Sequence, residues 1–143
     1  MPLYYLVYVS SATQLMEETD LAELLGQARE NNARDNITGM LLYKDGGFMQ
    51  AIEGEEEVVL RLHDKILKDS RHKNIINLIE GALEERQFSQ WSMAFTNVNS
   101  LNQVERDGFS PFLNESFNVD YFGENPHHAL KLLLSFKRTY NRR

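Results

Sequence analysis

Residues 37–44 and 48–53 are two apolar, strand-like runs, separated by Asp45-Gly46-Gly47. A glycine-bearing link of this length predicts a tight antiparallel hairpin. Helical patterns flank it on both sides. Upstream, Leu21, Leu24, Leu25 and Ala28 recur at i, i+3, i+4 and i+7, predicting a helix over 20–32. Downstream, residues 55–69 read as a second helix, with Val59, Leu62 and Ile66 as its buried stripe. Residues 3–10 and 75–83 also read as strands, and 91–96 as a short fifth one. The order β-α-β-β-α-β plus a strand predicts an α+β sandwich of ferredoxin-like type, with helices on one face of a mostly antiparallel sheet. In that topology the first and third strands are central neighbours.

Local signals place the ends. Thr19 or Asp20 caps the first helix, with Glu23 at capping-box distance from Asp20. The polar run 31–36 suits its exit, because Asn tolerates the left-handed region. Glu55, Glu56 and Glu57 suit the positive end of the second helix dipole. After Asn97 the character changes, so the chain divides into 1–97 and a C-terminal helical extension, 98–143. Residues 126–140 read as a final helix carrying Leu130, Leu132, Leu133, Leu134 and Phe136. Its apolar surface is expected to cover the bare sheet face or to form a subunit interface. Its basic end, from Lys137 to Arg143, suits a helix C-terminus facing solvent.

Composition removes several function classes. A net charge of −6 and a pI near 5.2 oppose sequence-independent nucleic-acid binding, which needs a basic face. With no cysteine, there is no disulfide, thiolate nucleophile or cysteine metal site. His63, His72, His127 and His128 lack metal-ligand spacing, so no metal is expected. No membrane-length apolar run and no basic leader appear, so the expectation is a cytoplasmic protein. There is no Rossmann fingerprint, P-loop or GxSxG. An acylphosphatase-like enzyme would need an Arg-bearing phosphate loop after the first strand, but Ser10 to Gln14 holds neither Arg nor Gly.

One strand residue is out of place. With period two, Phe48, Gln50 and Ile52 share a face, so an amide lies between apolar neighbours and must find partners. Tyr8 likewise follows Leu6 on one face of the first strand. If the first and third strands are adjacent, phenol and amide meet over the sheet. Such a pair is either structural or in the service of a ligand, and an amide, which both donates and accepts, suits the second role.

These pieces together resemble a BLUF domain, a flavin-holding blue-light sensor. The resemblance rests on Tyr8-Val9-Ser10, on Asn32 ahead of Ile37-Thr38-Gly39-Met40-Leu41-Leu42-Tyr43, and on Phe48-Met49-Gln50-Ala51-Ile52-Glu53-Gly54. It continues through Asp69-Ser70-Arg71-His72 and Arg86 to Met93. Asn31 stands where relatives also carry His. The short extension is similar to the cyanobacterial PixD type.

The resemblance implies a photoreceptor rather than an enzyme, with FAD bound non-covalently and FMN or riboflavin as substitutes. It makes Tyr8 the electron and proton donor, and Gln50 the amide whose rearrangement is the switch. Asn31 and Asn32 would bracket the flavin pyrimidine, although a plain helix C-cap accounts for Asn31 as well. Leu25, Phe48 and Ile66 would wall the ring, and core packing predicts the same residues. Asp69, Arg71 and His72 would reach the ribityl or phosphate end, or be surface groups. Met93, or alternatively Trp91, would relay the change to the last strand. Output is implied to run through a ring-like homo-oligomer, a decamer being one form, and a response-regulator-like partner in phototaxis, with no nucleic acid or membrane involved. A flavin-free regulatory module that acts by oligomerisation is the rival reading.

Overall fold

A computed structural model describes residues 3–14, 17–44, 46–88 and 93–97. Its elements are β1 (Leu3–Ala12), α1 (Glu18–Arg34), β2 (Thr38–Lys44), β3 (Gly47–Glu55), α2 (Glu56–Leu67), β4 (His72–Leu83) and β5 (Ala94–Asn97). The sheet order is β4-β1-β3-β2-β5. β1 pairs antiparallel with β3 and β4, β2 antiparallel with β3, and β5 parallel with β2. This is the ferredoxin-like arrangement expected from the element order, with β1 and β3 side by side.

Alternation sorts the side chains into two faces. Leu6, Tyr8, Leu41, Phe48 and Ile52 join Leu21 and Leu25 of α1 and Val59 of α2 in one buried cluster. On the other face Val7, Val9, Met40, Leu42 and Met49 are fully buried as well. The C-terminal extension expected to cover that face, including His127 and His128, lies outside the described residues.

Boundaries differ from the sequence expectation in three informative places. Helix α1 starts earlier, so Glu17 is its cap residue, and Asp20 instead sits in the first turn, where its Oδ2 accepts the Glu17 N–H at 3.1 Å. The same helix runs on to Arg34, which puts Asn31 and Asn32 inside its last turn. Asn36 then takes the left-handed conformation (φ 56°), and the Ile37 N–H returns to the Asn32 carbonyl at 2.8 Å. Strand β4 begins at His72 rather than residue 75. Register shifts opposite Val7/Tyr8 and Val9/Ser11, with Asn74 at φ 54°, break the alternation there and hide the strand's start.

Candidate functional site

Helices α1 and α2 lie on the same face of the sheet and leave a pocket between them. Its buried lining comprises Tyr8, Asn32, Leu41, Phe48 and Gln50. Its flanks are Leu24 and Ala28 from α1 and Leu62 and Ile66 from α2. Asn31, Gln27, Lys65, Asp69, Arg71 and His72 complete it. Leu62 and Ile66 belong to the apolar stripe of α2, yet both are only half-buried because the pocket side is uncovered. Leu25, expected as a wall, instead faces the core at 6% exposure. One residue along a helix is a turn of about 100°, and that turn brings Leu24 to the pocket.

At the buried end, Tyr8 and Gln50 are direct cross-strand partners. The phenol O–H donates to Gln50 Oε1, and Gln50 Nε2 donates to Met93 Sδ at 3.5 Å. A thioether only accepts, so the amide NH2 must face Met93 and the oxygen must face Tyr8. Tyr8, Gln50 and Met93 are 2%, 8% and 2% exposed, so water does not compete for these bonds. Burial, seconded by the Asp69 charge, pushes the Tyr8 phenol well above its ordinary range, so it stays a protonated donor. Met93 is held from a second side, where Arg29 Nε of α1 donates to its carbonyl at 3.0 Å. Residue 93 precedes β5 rather than lying within a 91–96 strand, and Trp91 lies outside the described residues.

His72 closes one wall. Its Nε2 lies 2.8 Å from the Ile66 carbonyl and its Nδ1 3.1 Å from Ser10 Oγ. A carbonyl only accepts, so Nε2 carries hydrogen, and in the neutral ring Nδ1 accepts from Ser10. The ring stands edge-on to Tyr8 and Phe48. At the open side, Arg71 forks onto Asp69 (Nη2–Oδ2 2.6 Å) and reaches Gln27 Oε1 at 3.1 Å, tying the loop after α2 to α1. The Arg71 hydrogen bond, opposed in part by burial, holds the Asp69 carboxyl below its usual range.

The pocket therefore gathers Tyr8, Asn31, Asn32, Phe48, Gln50, Ile66, Asp69, Arg71 and His72, and Met93 touches Gln50. Sequence reasoning missed Leu24, Gln27, Ala28, Leu41, Leu62 and Lys65 as lining and Arg29 as a brace. The spacing 24, 27/28, 31 was a visible signal, because it traces one helix face. His63 of α2 is half-buried, with its Nε2 2.9 Å from Asn77 Oδ1. Among the described residues no group of His, Cys, Asp and Glu is placed to hold a metal, and no helix is long and apolar enough to cross a membrane.

A family model described as BLUF, sensors of blue-light using FAD, matches residues 3–94. The chain belongs to the BLUF family. BLUF domains are flavin-binding blue-light sensors rather than catalytic units. The dark-state structure of BlrB, a BLUF protein, is 25% identical with a TM-score of 0.80, over 96% of this chain and 97% of that one. The photo-activated state of BlsA is 35% identical with a TM-score of 0.76, over 92% and 94%. Among curated proteins, the photoactivated adenylate cyclase subunit beta of Euglena longa is 35% identical over 97 residues, 67% of this chain and 11% of that protein. The chain thus spans about a tenth of that relative. The lining suits a flavin: apolar flanks for a flat ring, and amides for its polar edge.

Proposed function

We propose that this protein is a blue-light photoreceptor that binds FAD non-covalently between α1 and α2, with FMN or riboflavin able to substitute. The observation that carries the reading is the buried chain Tyr8–Gln50–Met93 at the closed end of the pocket. Asn31 and Asn32 hold the polar edge of the ring, and Phe48, Leu24, Leu62 and Ile66 pack its faces. Lys65 and Arg71, at the open side, meet the phosphates.

A bound flavin supplies blue absorption and, once excited, a strong oxidant. Tyr8 gives up an electron, and its phenolic proton passes to Gln50 Oε1 along the hydrogen bond already in place. Gln50 then rotates or changes tautomer, exchanging its partners, and Tyr8 recovers both its electron and a proton, so that phenol and amide end neutral. The lit arrangement presents a donor to the ring carbonyl, which moves absorption slightly to the red. Because Gln50 bonds differently in the two arrangements, light shifts a population between two packings. Met93 carries the difference to β5.

Output, in this reading, follows the short PixD-like pattern: a cytoplasmic, ring-like homo-oligomer, such as a decamer, whose assembly or grip on a response-regulator-like partner changes in light, as in phototaxis. The test is an absorption spectrum of the purified protein in the dark and under blue light. Flavin bands that shift red and return in the dark are expected. Bands that bleach or stay fixed refute the switch, and a colourless protein that takes up no added flavin refutes the photoreceptor.

A further inference from the structure

A second buried polar centre lies on the opposite side of the same strand. Glu53 is three residues from Gln50 in β3, so the two side chains leave the strand on opposite faces. Glu53 is 2% exposed. A buried carboxylate is costly unless its oxygens are bonded, and these are. Oε1 accepts the Thr38 hydroxyl at 2.8 Å and the Phe88 N–H at 2.6 Å, and Oε2 accepts the Gln87 N–H at 2.9 Å. The positive charge comes through a relay. Arg86 Nη1 donates to Thr38 Oγ1 at 2.9 Å and to the Glu53 carbonyl at 3.3 Å, and Nη2 donates to the carbonyl of Asn36 at 2.8 Å.

Gln87 and Phe88 stand six and five positions before Met93 in the sequence. Met93 lies five residues on from Phe88, a reach of at most about 18 Å. Fixing the backbone at Phe88 therefore limits where Met93 can stand. Met93 in turn receives the Gln50 amide. The chain is thus pinned to β3 twice, by Glu53 at one end and by Gln50 at the other.

We propose that Glu53 is a positioning residue that sets Met93 against Gln50 by clamping the backbone of Gln87 and Phe88. Its role in signalling rests on the reading of Gln50 as the light switch; the clamp itself does not. Carboxylate chemistry suits the task, because both oxygens only accept and charge-assisted bonds are the stronger kind. Glutamine at this position would turn an NH2 group toward one of the donors, so the clamp would lose a bond at nearly constant volume. Thr38→Val removes the hydroxyl relay but keeps both backbone bonds, and is the milder variant.

The test is peroxide oxidation of the 143-residue chain in the dark, followed residue by residue by mass spectrometry, alongside the dark recovery of the lit spectrum. Met40 and Met49 are fully buried, and Met93 nearly so, which makes the first two internal controls for global unfolding. Glu53→Gln is expected to speed Met93 oxidation about tenfold, and Thr38→Val by less, with Met40 and Met49 unchanged. Flavin content should stay constant, while the lit spectrum decays about two- to tenfold more slowly, because the Gln50–Met93 bond that favours the dark arrangement is weakened. If Glu53→Gln exposes all three methionines, Thr38→Val decides: exposure of Met93 alone supports the clamp, and any other pattern in that variant overturns it. Met93 as protected as in the wild type in both variants overturns the proposal, and so do three methionines rising together in both. Met93 freed with recovery unchanged also overturns the positioning role. A colourless protein would defeat the photoreceptor reading but leave the methionine result standing, so the two failures are distinguishable.

Discussion

Tyr8 and Gln50 face each other across the β1–β3 ladder, and the phenol O–H donates to the amide oxygen within a buried cluster. Tyr8→Phe removes that donor and little else, since ring and volume are kept. The variant should bind flavin as the wild type does and lose the red-shifted photoproduct. The Gln50 oxygen, left without its donor, should cost about 1–3 kcal/mol of stability. Light-minus-dark difference spectra and urea melts check both effects. A normal photocycle in Tyr8→Phe would remove Tyr8 from the mechanism.

Gln50 has two roles in one amide, accepting from Tyr8 and donating to Met93, and no apolar residue reproduces both. Gln50→Ala should retain the pocket flanks, which come from α1 and α2, and therefore retain flavin. It should show no red shift on illumination. A shift that survives in Gln50→Ala would mean that the rearranging group is elsewhere.

Tyr8 also sets an alkaline limit. Its phenol titrates above its ordinary value of 10.0, first through burial and second through the Asp69 charge. The sign follows from which state binds the proton: above pH 10 the unfolded chain releases it while the fold keeps it. The corresponding stability is fully present below the unfolded value and is lost as pH rises through the folded one. Wild-type stability should fall more steeply above pH 10 than that of Tyr8→Phe, measured by chemical denaturation across that range. Parallel curves would show that the phenol is not shielded as described.

Much of this site was legible because strands report their faces directly. The Asp45-Gly46-Gly47 link fixed a hairpin, period two put Gln50 with Phe48 and Ile52, and the element order made β1 and β3 neighbours. Helix faces were read less well, because Leu24 and Leu25 are equally apolar and only the rotation of α1 separates pocket from core. The start of β4 was obscured by its bulges and by Asn74 in the left-handed region, and with it went the placement of His72 beside Ser10. Arg29 on Met93 and Glu53 on residues 87 and 88 join groups 64 and about 35 positions apart. The face of Glu53 was readable; its partners were not, because no local pattern encodes which loop returns to a strand.

Two glycines give opposite expectations and test the packing around the hairpin. In β2, a Cβ on Gly39 would fall far inside contact distance of the Ala51 carbonyl oxygen, and within 3.1 Å and 3.3 Å of Ala51 C and Ile52 Cα. These are backbone atoms of β3, which is held between β1 and β2, so neither strand can yield without breaking a ladder. Gly39→Ala should cost about 3 kcal/mol and displace the strand that carries Gln50. In α1, a Cβ on Gly26 meets nothing within 4 Å. Gly26→Ala should instead stabilise by about 0.5–1 kcal/mol, since alanine restricts the unfolded chain and favours helix. Urea denaturation of the two single variants checks the pair, and a tolerated Gly39→Ala would show that the β2–β3 approach is looser than the register implies.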